Sequence, residues 1–189
     1  NFEFYGFKKF IVSVNHKSQI IKTYFNDKKY NIKYLDETKP TGTAGSLKKL
    51  YNKKENLFIV SNCDILSQFN FHNLIEFHKN NKNNFTIVTS EKKYEIQYAT
   101  INSNKLGLVN KISEKPVYNF TINVGIYLID KKCIRLMPNK KPYDMNEFIN
   151  HLLKKNLRVG AYPISKSDWN DVGRWDEYKD SITKLSIKN

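Results

Sequence analysis

The chain has 189 residues, 40% of them apolar and 14% aromatic, with 32 Lys and Arg against 18 Asp and Glu for a formal net charge of +14. That length suits one domain with a substantial core, and the apolar content is too high for a disordered chain. Two cysteines far apart, no apolar run of membrane-spanning length and no charged-then-apolar start exclude a disulfide scaffold, a membrane-spanning protein and a signal peptide, so the expected location is the cytoplasm. The positive excess lies in lysines spread along the whole chain, with no basic run interleaved with aromatics. This describes a solvated surface whose field favours an anionic small substrate, and it argues against a nucleic-acid partner. Cys63 and Cys133 each lie beside an apolar run and read as reduced core thiols, and no Cys/His cluster has zinc spacing.

In chain order, Phe10 to Val14 is a short apolar strand, followed by an amphipathic helix from Ser18 to Phe25 with Ile20, Ile21, Tyr24 and Phe25 inward. Ile32 to Leu35 gives a second strand. The turn-rich stretch 36–46 then leads into a helix from Leu47 to Tyr51, which Thr43 or a neighbour can cap. Leu57 to Asp64, Leu-Phe-Ile-Val-Ser-Asn-Cys-Asp, reads as a strand buried on both faces that opens into a polar triplet. Phe71, Leu74, Ile75 and His78 recur at helical spacing over Phe71 to Asn80, and Phe85 to Thr89 is the next strand. Strands alternating with helices predict a parallel sheet covered on both faces.

The pattern then changes. Tyr98 to Ile101 and Leu106 to Ile112, joined across residues 102–105, predict an antiparallel hairpin. Thr121 to Ile129 is a further strand, Met145 to Lys155 a helix, Val159 to Ile164 a strand, and Trp175 to Thr183 a closing helix after the segment Ser167 to Gly173.

Polar clusters fall at the ends of these strands, where α/β sheets place their ligands. The loop Thr41 to Ser46 can hold a base or phosphate through its backbone, or be a plain glycine-rich turn. Asp64, with Asn62 beside it, is either a hydrated aspartate starting a loop or a metal ligand facing a phosphate, since an unpaired buried carboxylate costs several kcal/mol. Glu114-Lys115-Pro116 can bind hydroxyls and a phosphate, yet such pairs are common on surfaces. Trp169-Asn170-Asp171-Val172-Gly173 carries a second aspartate, which packing and a helix cap would also explain.

Taken in order, T-G-T-A-G, N-C-D, E-K-P, N-V-G-I-Y and W-x-D-V-G-R-W-D-E-Y resemble the sugar-phosphate nucleotidyltransferases, or nucleotide-sugar pyrophosphorylases, from about Gly6 to Tyr178. The resemblance implies a Rossmann-like, three-layer α/β/α domain with a mostly parallel mixed sheet and an inserted antiparallel hairpin. It implies transfer from a nucleoside triphosphate to a sugar 1-phosphate with release of pyrophosphate, and Mg²⁺ held by Asp64 and Asp171. It also implies nucleotide contacts from Gly42, Thr43, Ala44 and Asn62, and sugar contacts from Tyr98, Ala99, Glu114, Lys115, Asn123 and Gly125.

The Ser-Asn-Cys-Asp and Trp-Asp-Glu-Tyr versions look most like bacterial members that serve surface-sugar pathways. Family members begin with a strand and a glycine-rich loop bearing Arg and Lys, which this chain lacks. The expectation is a single, N-terminally truncated domain over 1–189, impaired alone, whose apolar sheet edges favour association into a homo-oligomer. A second departure is Tyr98-Ala99 where the family usually has a glycine, which would narrow sugar choice or weaken sugar binding. The alternative reading is a non-catalytic domain that binds a nucleotide-sugar.

Overall fold

The computed structural model describes residues 2–27, 30–139 and 142–173. Its central sheet has four strands in the order β3 (Leu57–Ser61), β8 (Val117–Asp130), β5 (Phe85–Glu95) and β9 (Val159–Ile164). β5 and β9 pair in parallel, and β8 runs antiparallel to both β3 and β5, so three of the four strands point one way. β1 (Phe10–Val14) and β2 (Ile32–Asp36) form a separate parallel pair flanking α1 (Ser18–Asp27). β6 (Thr100–Ser103) and β7 (Val109–Ser113) make the expected hairpin, starting two residues later than the sequence suggested.

Helices cover both faces of the sheet, and each face has its own core. On one, Phe85, Tyr127 and Ile129 meet Cys133 and Ile134 of α3 (Lys131–Arg135), Phe148 and Leu152 of α4 (Met145–Lys154), and Leu47 and Leu50 of the 3₁₀ helix Gly45–Asn52. On the other, Val88, Val124, Ile126 and Leu128 meet Phe71 and Leu74 of α2 (Phe71–Asn80). The alternation along β8 makes this division, because successive side chains of a strand point to opposite faces. This is the three-layer α/β/α arrangement that the motif order implies.

The helices carry local start signals. Asn70 caps α2 by accepting from the His72 amide at 2.8 Å, and Asp144 caps α4, its own amide donating to the Glu147 carboxylate at 3.3 Å. His78, on the inner face of α2, is buried and satisfied, with its Nδ1 2.8 Å from the Thr86 hydroxyl and its Nε2 3.4 Å from Asp130.

Several expectations shift. β3 is not the doubly buried centre: it pairs only with β8 among the described residues, and every one of its residues is half-buried. The buried centre is the inner half of β8, where Val124 to Ile129 are all buried. Cys133 is the core thiol expected, its burial pushing the thiol up to about 12, and it donates to the Asn84 carbonyl; Cys63 is exposed. β5 and β8 outrun the predicted strands as an exposed two-stranded arm, Glu91 to Glu95 against Val117 to Thr121. Solvent on both faces of that arm removes the apolar alternation that marks a strand in sequence. α3 and β4 (Ile65–Ser67) are additions, and β4 pairs with the short strand β10 (Trp169–Asp171). The predicted closing helix from Trp175 lies outside the described residues.

Candidate active site

The stretch Thr41 to Gly45 is held by its own chain more than by its helix. Gly42 sits at φ +77°, a conformation that favours glycine, and a Cβ there would lie 2.6 Å from the Tyr143 carbonyl and 2.8 Å from Asp144 Oδ1. The Ala44 amide donates to the Tyr143 carbonyl at 3.0 Å, the Tyr143 amide to the Thr41 carbonyl at 2.8 Å, and the Thr43 amide to Asp144 Oδ1 at 3.2 Å. Thr43 does not cap the helix that follows it, whose N-cap is Ala44 without a side-chain bond. Its hydroxyl instead accepts from the Met145 amide at 2.9 Å, in the first turn of α4. The glycine that sequence reading offered to a ligand therefore admits the start of α4.

A second anchor ties this loop to β1. Burial alone would raise the Glu37 carboxyl, but hydrogen bonds from the Ser13 hydroxyl and from the Thr41 hydroxyl and amide, with Lys49 nearby, hold it below the usual carboxylate range.

Beyond β3 the chain turns against β8. The Asn62 amide donates to the Gly125 carbonyl at 2.9 Å, and Gly125, at φ +85°, leaves room for the Asn62 side chain, which a Cβ would meet at 2.8 Å. Asn123 uses both ends of its amide: Oδ1 accepts from the Gly125 amide and Nδ2 donates to the Tyr127 hydroxyl, each at 2.9 Å. Burial raises the Tyr127 hydroxyl above its ordinary range, partly offset by that bond, so it stays protonated at neutral pH.

The two aspartates are brought together by the small β4–β10 ladder. Asp171 registers with Ile65, next to Asp64, and the Val172 amide donates to the Asp64 carbonyl at 2.8 Å. Their carboxylates border one point: a Cβ added to Gly173 would lie 2.6 Å from Asp64 Oδ2 and 3.1 Å from Asp171 Oδ1. Asp171 Oδ1 also accepts from the Gly173 amide at 3.0 Å.

A cleft of about 530 Å³ gathers these groups. Of the residues read from sequence, Thr43, Asn62, Asp64, Asn123, Gly125 and Asp171 line it. Gly42 and Ala44 stand behind Thr43 as support, Ala44 fully buried. Tyr98, Ala99, Glu114 and Lys115 do not line it; they lie exposed around the β6–β7 hairpin, Tyr98 79% so.

The cleft also has walls the motifs did not announce, Lys92 and Tyr94 from the β5 arm and Asp144 and Asn146 at the start of α4, and Tyr127 of the N-V-G-I-Y motif lines it too. The spacing Asp144-x-x-Glu147 marks a helix start, but not that its cap faces a loop a hundred positions earlier. Lys92 and Tyr94, two apart on a strand, share a face only once the strand is known to extend that far.

Among the described residues no group of three or more His, Cys, Asp or Glu is arranged to hold a metal. Paired carboxylates alone fit a hard cation such as Mg²⁺, which keeps most of its shell for water and phosphate oxygens.

The sequence model of the nucleotidyl transferase family matches residues 2–187. Mannose-1-phosphate guanyltransferase of Yarrowia lipolytica is 31% identical over 198 aligned positions, covering 97% of this chain and 54% of the relative. The crystal structure of HddC from Yersinia pseudotuberculosis superposes with a TM-score of 0.73 at 24% identity, covering 97% of this chain and 81% of that one. The same protein complexed with GMP-PN gives 0.73 at 22% identity with the same coverage. The chain spans about half the length of the curated relatives it matches. A family match that takes in both cleft aspartates and all but a few terminal residues places this chain in the nucleotidyl transferase family.

Proposed function

We propose that this chain is the catalytic core of a sugar-1-phosphate nucleotidyltransferase. A phosphate oxygen of the sugar 1-phosphate attacks the α-phosphorus of a nucleoside triphosphate, the bond to the β-phosphate oxygen breaks, and pyrophosphate leaves. The observation that carries this reading is the pair of carboxylates, Asp64 and Asp171, held near each other beside Gly173 and both lining one cleft large enough for a nucleotide.

Bound between those carboxylates, Mg²⁺ would neutralise phosphate charge. The chain's own part is positioning: the Thr41 to Gly45 loop, stitched to α4, presents fixed backbone to the nucleotide with Asn62 beside it, and Asn123, pinned at both ends, presents a fixed face to the sugar. Tyr98, Ala99, Glu114 and Lys115 would complete the sugar site only if the hairpin arm folds over the cleft when substrate binds. The 31% identity to a mannose-1-phosphate guanyltransferase makes GTP with mannose 1-phosphate the first pair to try. The Ser-Asn-Cys-Asp motif variant favours a product used in bacterial surface-sugar assembly.

The test is pyrophosphate release by the full-length protein across a panel of nucleoside triphosphates and sugar 1-phosphates. Turnover is expected with at least one pair, abolished by chelation, and reduced at least ~100-fold by Asp64→Asn or Asp171→Asn. Normal Mg²⁺-dependent rates in both variants overturn the site. A folded protein that binds a nucleotide-sugar but turns over no pair is instead a non-catalytic binding domain.

A further inference from the structure

The cleft is acidic in a chain that is strongly basic. Asp64, Asp144 and Asp171 line it, and Lys92 is the one basic side chain that does so among the described residues. On the proposed reading two phosphorylated substrates must occupy this cleft together, and a metal between Asp64 and Asp171 can offset only part of their combined charge. The second anion needs a cation of its own.

Lys92 is built for that position. It lies on the β5 arm opposite Phe120 of β8, and its neighbour on the same face, Tyr94, also lines the cleft. Its ammonium stands over the Tyr94 ring, 5.6 Å from the centroid, an arrangement that orients a lysine while leaving its N–H donors available. The side chain is half-buried, yet among the described residues it has no carboxylate at ion-pair distance. A partly exposed lysine that lines a cavity, steadied by an aromatic ring and without a carboxylate partner there, is suited to an anion.

Lys115, which the family resemblance nominates for the sugar phosphate, is exposed in the turn between β7 and β8, at φ +40°, and lines no part of the cleft. We infer that Lys92 is the residue that grips the phosphate of the sugar 1-phosphate. This inference rests on the proposed function for its substrate, and it assigns a residue that the family motifs do not contain.

Calorimetric titration with α-D-mannose 1-phosphate and α-D-glucose 1-phosphate, and separately with Mg²⁺ and GTP, decides the matter. Lys92→Met is expected to weaken binding of the sugar 1-phosphate about tenfold or more while leaving GTP affinity within about twofold, and the retained GTP binding reports an intact fold. Lys92→Arg should recover most of the loss, and Lys115→Met should weaken binding less than Lys92→Met does. Unchanged sugar-phosphate affinity in Lys92→Met, or a larger loss in Lys115→Met, overturns the assignment while the proposed function stands. Failure of the full-length wild-type protein to bind any nucleoside triphosphate or sugar 1-phosphate of the panel removes the proposed function and this inference with it.

Discussion

At the scale of single residues, some side chains of the cleft are fixed by partners close in sequence, while others, such as Thr43 on Met145, are fixed from far along the chain. Asn123 is the clearest of the first kind: Gly125 and Tyr127, two and four positions on, take both ends of its amide and leave one orientation. Tyr127→Phe keeps the ring in the core and removes only the acceptor. On the reading that Asn123 meets the sugar, the variant should raise the KM for sugar 1-phosphate several-fold with kcat within about twofold, since the loss is of substrate positioning. An unchanged KM would detach Asn123 from the sugar. The motif Asn-Val-Gly-Ile-Tyr was legible in sequence, but the role of its tyrosine was not, because period-two alternation says which face a residue shares and not which atoms meet across a bulged strand. Glycine roles were the reverse: Gly42 was visible as a turn, yet the close approach it permits is to Tyr143 and Asp144, far along the chain.

Among elements, the strands and helices that bury an apolar face were readable because burial imposes the period; β1, β2, α2, α4 and β9 fall where alternation or helical spacing put them. The β4–β10 ladder was not, since three-residue strands carry no period, and it is this ladder that sets Asp171 beside Asp64. Glu37, just past β2, shows how loops and strands are joined by groups with no sequence signature. It accepts from Ser13 on β1 and from Thr41 at the start of the loop that packs on α4, and its folded-state pKa lies below the ordinary 4.5. A carboxyl depressed by folding contributes stability above its unfolded value and loses that contribution as the pH falls through its folded value. Glu37→Gln should therefore lower the thermal midpoint at pH 7 by roughly 2 to 4 °C, with the gap to wild type narrowing as the pH falls below the ordinary 4.5. Scanning calorimetry from pH 7 to 3.5 measures it, and a gap independent of pH would mean that the charge on Glu37 does nothing.

For the whole molecule, the unevenness of burial is the property that sequence composition conceals. The aromatic and aliphatic residues are spread along the chain, but the folded core is concentrated on the two faces of β8 and β5. The β1–α1–β2 unit holds little of it: α1 and β2 have no buried residue, and β1 buries only Val14. Among the described residues, the unit is joined to the rest by the packing of Ile11 and Leu35 against the larger core, the Glu37 carboxylate bonded to Ser13 and Thr41, the Lys49 ammonium on the Asp36 carbonyl at 2.6 Å, and an exposed Lys9–Glu55 pair of small worth. Its two strands pair with each other and with no third strand among the described residues. Opening that unit exposes little apolar surface, whereas opening β8 exposes both cores, so the two must differ in local stability. Native-state hydrogen exchange should find the paired amides of β1 and β2 exchanging at least ~100-fold faster than those of Ile126 to Ile129, a difference of about 2.7 kcal/mol in opening free energy. Equal protection in the two regions would mean that β1, α1 and β2 open only when the sheet does, and that the four-stranded core and the flanking pair are one cooperative unit.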